Sequence, residues 1–133
     1  MRQIFNGRLI SYYNMELVET QQNAENVYEK ISNSMQSILK KHGLTEHELK
    51  VYHHLIQNGP KHANQIGKEL NIYRTEIYRL LNSLQEKGMV DLIHDKPTKF
   101  IGVEYEKAID VLINSQLDKL NELRLFRSTL QNK

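Results

Sequence analysis

Apolar and polar residues change their period several times along the chain, and each change marks an element. Near the start, Ile4-Phe5-Asn6-Gly7-Arg8-Leu9-Ile10 sets apolar pairs on either side of an Asn-Gly dipeptide. Asn-Gly suits a type I′ turn, so residues 1–15 read either as a short hairpin or as an arm. Residues 16–41 contain no Gly or Pro, and Leu17, Gln21, Ala24, Tyr28, Ile31, Met35 and Ile38 recur at alternating spacings of four and three. That rhythm predicts a helix over 16–41 with a single seam. The polar Gln21 and the small Ala24 weaken the seam as a coiled coil, so a second long helix is expected against it.

In the middle of the chain the period shortens and stop signals crowd in. His42-Gly43 has the form of a helix C-cap. Thr45-Glu46-His47-Glu48 matches a capping box, with Thr45 and Glu48 each positioned to bond the other's amide. Leu49, Tyr52, Leu55 and Ile56 then form an apolar stripe that ends at Asn58-Gly59-Pro60. A short second helix is predicted from His62 or Ala63 to Leu70, with Ala63, Ile66 and Leu70 inward. Asn71-Ile72-Tyr73 makes a tight turn. A third helix follows over 74–87 and stops at Gly88, with Ile77, Leu80, Leu81 and Leu84 buried.

Two β-runs over 89–93 and 99–103 flank the polar loop His94-Asp95-Lys96-Pro97-Thr98. Residues 104–130 form one helical pattern without Gly or Pro. Its stripe is Ala108, Ile109, Leu112, Ile113, Leu117, Leu120, Leu123, Phe126 and Leu130. The expected fold is mainly α with a small β-wing: a winged helix-turn-helix over 42–103, flanked by long helices over 16–41 and 104–133. The terminal stripe spans more turns than the central domain can cover by itself. A two-fold homodimer would cover both flanking helices. Its candidate contacts are Leu17, Tyr28, Ile31, Met35 and Ile38 before the domain. After it they are Ile113, Leu117, Leu120, Leu123, Phe126 and Leu130.

Composition narrows the chemistry. The absence of cysteine excludes disulfides, thiolate metal sites and thiol catalysis. No apolar run is long enough for a transmembrane helix and the N-terminus lacks a signal-peptide core, so a cytoplasmic protein is expected. Net charge is only +2, but residues 40–99 hold ten Lys or Arg against seven Asp or Glu. All six histidines also fall between 42 and 94. The middle of the chain is therefore the basic part, although such an excess alone does not require a nucleic acid. His47, Glu48, His53 and His54 share a helix without forming a HExxH pair, and no glycine-rich phosphate loop or serine elbow is present. Neither an enzyme, a metal site nor a cofactor is expected.

The order of elements points to double-stranded DNA. In a helix-turn-helix the last helix enters the major groove, so its exposed face must be polar and able to reach base edges. Opposite the apolar stripe of the third helix stand Arg74, Thr75, Tyr78, Arg79 and Asn82, with Glu76 beside them. Arg74 and Arg79 suit guanine edges or phosphates, Thr75 a thymine methyl or a phosphate, and Tyr78 a phosphate. Lys96 and Lys99 at the hairpin suit the phosphate rail or the adjacent minor groove. Lys61, His62 and Asn64 open the second helix, where backbone amides favour a phosphate oxygen. A different class of function, a winged domain used for protein contacts in a transcription or chromatin assembly, draws on Glu69, Glu76 and Glu86 near the same surface.

Particular residues carry a family resemblance. They are Leu44-Thr45-Glu46, Lys50-Val51-Tyr52, Gly59-Pro60, Arg74 and Tyr78 with Leu81, Leu84, Glu86, Lys87 and Gly88, and Lys99-Phe100. In these the stretch from residue 42 to about 115 resembles the winged-helix domain of the TrmB family of archaeal transcription regulators. The resemblance implies sequence-specific DNA binding and transcriptional control. The chain departs from the family pattern at His62, where a Thr or Ser cap is usual, at Tyr73, and in its N-terminal heptad helix. The large sugar-sensing domain that many members carry is not expected here, nor is a small-molecule effector. Helices on both sides of the wing domain are also similar to the layout of MarR-type dimers.

Overall fold

The shifts of period become five helices and two small sheets in the computed structural model, which describes the backbone of residues 2–5 and 8–132 and the side chains of residues 23–132. Strand β1 (Arg2–Phe5) pairs antiparallel with β2 (Arg8–Ser11), with Ile4 opposite Leu9. The Asn6-Gly7 turn lies outside the described residues, as do the side chains of Leu17 and Gln21. Helix α1 (Tyr12–Lys41) follows β2 directly and so begins four residues before the predicted start.

The buried line of α1 differs from the predicted seam. Ser32, Met35 and Leu39 are buried, whereas Tyr28, Ile31 and Ile38 are exposed. Met35, expected at a dimer contact, is 4% exposed within the single chain and is therefore unavailable to a partner. Adjacent stripes on one helix differ by a single position, and Met35 borders both. Leu39, outside the predicted seam, is the most completely buried of the described side chains of α1. After it the chain leaves the helix by a Schellman turn: Gly43 takes φ +101°, its amide donates to the Lys40 carbonyl at 3.2 Å, and the Leu44 amide donates to Leu39 at 3.1 Å.

By their internal contacts residues Met1–Ile38 and Leu39–Lys133 form two units. The second contains α2 (Glu46–Asn58), β3 (Lys61–His62), α3 (Ala63–Leu70), α4 (Arg74–Glu86), β4 (Val90–Ile93), β5 (Lys99–Gly102) and α5 (Tyr105–Gln131). Strands β4 and β5 form the wing, with Leu92 opposite Phe100, and β3 adds to the other side of β5 to give the order β3-β5-β4. Two residues following a proline carry no readable period, which is why β3 is not foreshadowed.

The core of this unit lies where α2, α3, α4 and the sheet converge. It comprises Val51, Tyr52 and Leu55 from α2, Ile66 from α3, Ile77, Leu80, Leu81 and Leu84 from α4, and Met89, Val90 and Phe100 from the wing. Tyr52 reaches across to donate its hydroxyl to the Val103 carbonyl at 2.6 Å, and burial pushes its phenol pKa up. Helix α5 starts on this core, burying Ala108 and partly covering Ile109 and Leu112. From Ile113 to Asn132 every residue is exposed. The fold is a winged helix-turn-helix with long helices on both sides.

Candidate nucleic-acid interface

The orientation of α4 is set at both ends by polar contacts that the core does not supply. At its C-terminal end, Lys87 donates to both oxygens of Glu48 at 2.9 Å and to the Gly43 carbonyl at 3.1 Å. Ser83 donates to Glu48 at 2.9 Å, and the Thr45 amide completes the capping box at 3.1 Å. Burial raises the Glu48 carboxyl, but Lys87, the Thr45 amide and Ser83 outweigh it and hold the pKa below the usual range. Gly88 then turns the chain into the wing at φ +76°, with the Met89 amide bonded to Leu84 at 2.9 Å.

The turn before α4 is equally tight. Asn71 caps α3 in the left-handed region at φ 55°, and the Ile72 amide donates to the Gly67 carbonyl at 2.9 Å. A Cβ on Gly67 would lie 2.9 Å from the Ile72 carbonyl oxygen, so only glycine permits this approach of α3 to the turn. Tyr73, the residue before α4, is 88% exposed. Nothing in the turn covers its ring.

Between α4 and the wing lies a groove of about 630 Å³ lined by His62, Asn64, Arg74, Tyr78, Asn82 and Lys96, together with Gln85 and residues 95–98 of the wing. Six of the ten sequence candidates are thus brought to one concavity. The Arg74 guanidinium sits 5.6 Å from the centroid of the Tyr78 ring, a cation–π contact along one face of α4. His62 lies with Nδ1 3.3 Å from the Thr98 carbonyl, and donates to it in the tautomer that protonates Nδ1. The other ring nitrogen is then an acceptor and turns no proton toward a phosphate.

The other four candidates lie outside that groove. Thr75 is exposed on the outward ridge of α4. Arg79 is on the same ridge, but its guanidinium grips Glu76 with two bonds, one of them from Nε at 2.9 Å. This pair lowers the Glu76 pKa and raises that of Arg79. Lys61 turns to Glu69 at 3.0 Å, where His54 also bonds the carboxylate, and His54 and Lys61 together lower the Glu69 pKa. Lys99 stands 3.9 Å from Asp95. Sequence reasoning missed Gln85, which lines the groove one turn beyond Asn82. It also missed Lys68 and Tyr73, which line a second groove of about 470 Å³ against the turn. No local signal marks these three, because the turns of α4 that face the wing, and the side chains of α3 and the turn that meet beside it, are set by tertiary packing.

Among the described residues no group of acidic or histidine side chains could hold a metal ion, and no helix is long and apolar enough to cross a membrane. Comparison with known proteins gives consistent findings. A family model described as the sugar-specific transcriptional regulator TrmB matches residues 39–106. The HTH-type sugar sensing transcriptional regulator TrmBL1 of Pyrococcus furiosus is 34% identical over 86 residues, covering 65% of this chain and 25% of its own length. YrhO of Bacillus subtilis is 32% identical over 76 residues, covering 57% of this chain and 28% of its own. The chain therefore spans about a quarter of the length of either relative. The structure of TrmBL2, described as an archaeal chromatin protein with a novel mode of DNA binding, matches with a TM-score of 0.65 at 19% identity. That match covers 75% of this chain and 40% of the other, and the likeness is one of fold.

Proposed function

The chain belongs to the TrmB family of transcriptional regulators, and from that membership we propose that it binds double-stranded DNA sequence-specifically, as a homodimer, to control transcription. The observation that carries this reading is the setting of α4. Its ridge of Thr75, Arg79, Asn82 and Glu86 is exposed and polar, while one flank faces a groove closed by the wing. A helix so presented fits the major groove, and Lys96 at the wing then meets the neighbouring backbone or minor groove. The reading is of a cytoplasmic, nucleoid-associated binding protein and not of an enzyme. Sugar sensing, named for TrmBL1, is not carried over, because the match takes in only a quarter of that relative.

The dimer rests on α5. Its residues Ile113, Leu117, Leu120, Leu123, Phe126 and Leu130 are between 41% and 68% exposed. A contiguous apolar stripe left in water calls for cover, and a second copy of α5 is its natural cover. Tyr28, Ile31 and Ile38 on α1 are exposed as well and join the proposed contact; Met35 does not. The protein-contact reading loses ground, since Glu69 and Glu76, two of its three acids, are already paired with basic side chains.

Selection from a pool of random duplexes tests the proposal. The expected product is a pseudo-palindrome whose half-sites are about one helical turn, or a multiple of it, apart. Recovery of no common sequence would contradict it.

A further inference from the structure

A basic side chain neutralises a phosphate fully only if no carboxylate of its own protein has already claimed it. That condition divides the cations of the winged unit. Lys61 is paired with Glu69, Arg79 with Glu76 and Lys87 with Glu48, and Lys99 lies near Asp95. Of the cations without an ion-pair partner among the described residues of this unit, Lys68, Arg74 and Lys96 line grooves beside α4, whereas Lys41, Lys50 and the lysines and arginines of α5 line neither groove. The first three lie on one surface. Lys68 lines the groove at the turn, Lys96 lines the groove at the wing, and Arg74 lines both, with Asn64 beside it. The two grooves adjoin across the saddle made by Asn64 and Arg74.

Resting on the DNA-binding reading above, we propose that these adjoining grooves seat the sugar-phosphate backbone of one DNA strand, with Lys68, Arg74 and Lys96 as its charge contacts. Base reading then falls to the outward ridge of α4, to Thr75, with Asn82 at the edge that the ridge shares with the wing groove. Arg74 is thereby assigned to a phosphate and not to a guanine edge. Its stack on Tyr78 fixes the direction of the guanidinium while leaving its charge unneutralised. Asn64 at the saddle offers a neutral amide donor to the same strand. Asp95 is the one carboxylate among the residues lining the two grooves, and it opposes the backbone that the cations attract.

The test is duplex affinity by fluorescence anisotropy over a range of salt, on the selected duplex and on a shuffled one. Lys68→Ala, Arg74→Ala and Lys96→Ala are each expected to reduce the steepness of the log–log salt slope by about 0.9 per protomer. Both duplexes should lose affinity by the same factor. The double variant Lys61→Gln/Glu69→Gln removes a pair without baring a carboxylate and should keep the wild-type slope. Asp95→Asn should bind every duplex severalfold more tightly, a gain that damage to folding cannot produce.

Wild-type slopes in all three alanine variants would overturn the proposal while leaving DNA binding intact. So would an Arg74→Ala variant that keeps its slope but no longer distinguishes the two duplexes. A wild-type protein that binds no duplex at low salt would overturn the DNA-binding reading itself, and this inference with it.

Discussion

The Glu48 carboxylate is 3% exposed, yet it accepts hydrogen bonds from Lys87, Ser83 and the Thr45 amide, tying the start of α2 to the end of α4. Its pKa is below the ordinary value when folded, so between the folded and unfolded values the unfolded chain binds more protons. The stabilisation is therefore complete above the unfolded glutamate pKa of about 4.3 and is lost as pH falls through the folded one. Thermal unfolding of wild type and Glu48→Gln should differ most near neutral pH and converge in acid. Lys87→Met should cost about 2 kcal/mol at pH 7, because it leaves a buried carboxylate unpaired; Lys87 is partly exposed, which keeps the cost at the low end. That loss should also shrink in acid, when Glu48 is neutral. A gap independent of pH would remove Glu48 as its cause. The capping box was legible in the sequence from a spacing of three; its bond to Lys87, 39 residues away, was not.

At the scale of elements, helix ends were easier to read than helix faces. Stop signals are local chemistry: Gly43, Gly88 and Asn71 each take positive φ where a helix ends, and each interrupts an apolar period. The third helix was accordingly placed to within one residue. Faces depend on partners that lie elsewhere in the chain. On α1 the choice between the line of Ile31 and Ile38 and that of Ser32 and Leu39 turns on tertiary packing, so the predicted seam was displaced and Met35 misassigned. On α5 the helix lies where its period predicts, but only the structure shows that it is exposed from Ile113 onward. Replacing Leu120 and Leu123 together by Asp should therefore halve the sedimenting mass and lower helical content by circular dichroism, while the wing unit still unfolds cooperatively. A wild type that sediments as a monomer at tens of micromolar would rule out the dimer.

At the scale of the molecule, a net charge of +2 conceals the arrangement that matters. Paired acids cancel Lys61, Arg79 and Lys87, whereas Lys68, Arg74 and Lys96, three of the cations left over, line the grooves beside α4. Charge counting along the sequence located the basic region, but it could not separate paired from unpaired residues, since Lys61 and Lys68 read alike until Glu69 is seen to turn toward one of them. The polar face of α4 was legible from its helical period; the contribution of Gln85, Lys68 and Tyr73 was not, because it depends on how the wing and the turn fold against that helix. The central claim is discrimination between DNA sequences, and the most direct measurement compares affinity for the selected duplex with affinity for a shuffled duplex of equal length and composition at physiological salt. The selected duplex should bind about a thousandfold more tightly or better. Equal affinity for the two, or no binding of either at low salt, would contradict the account.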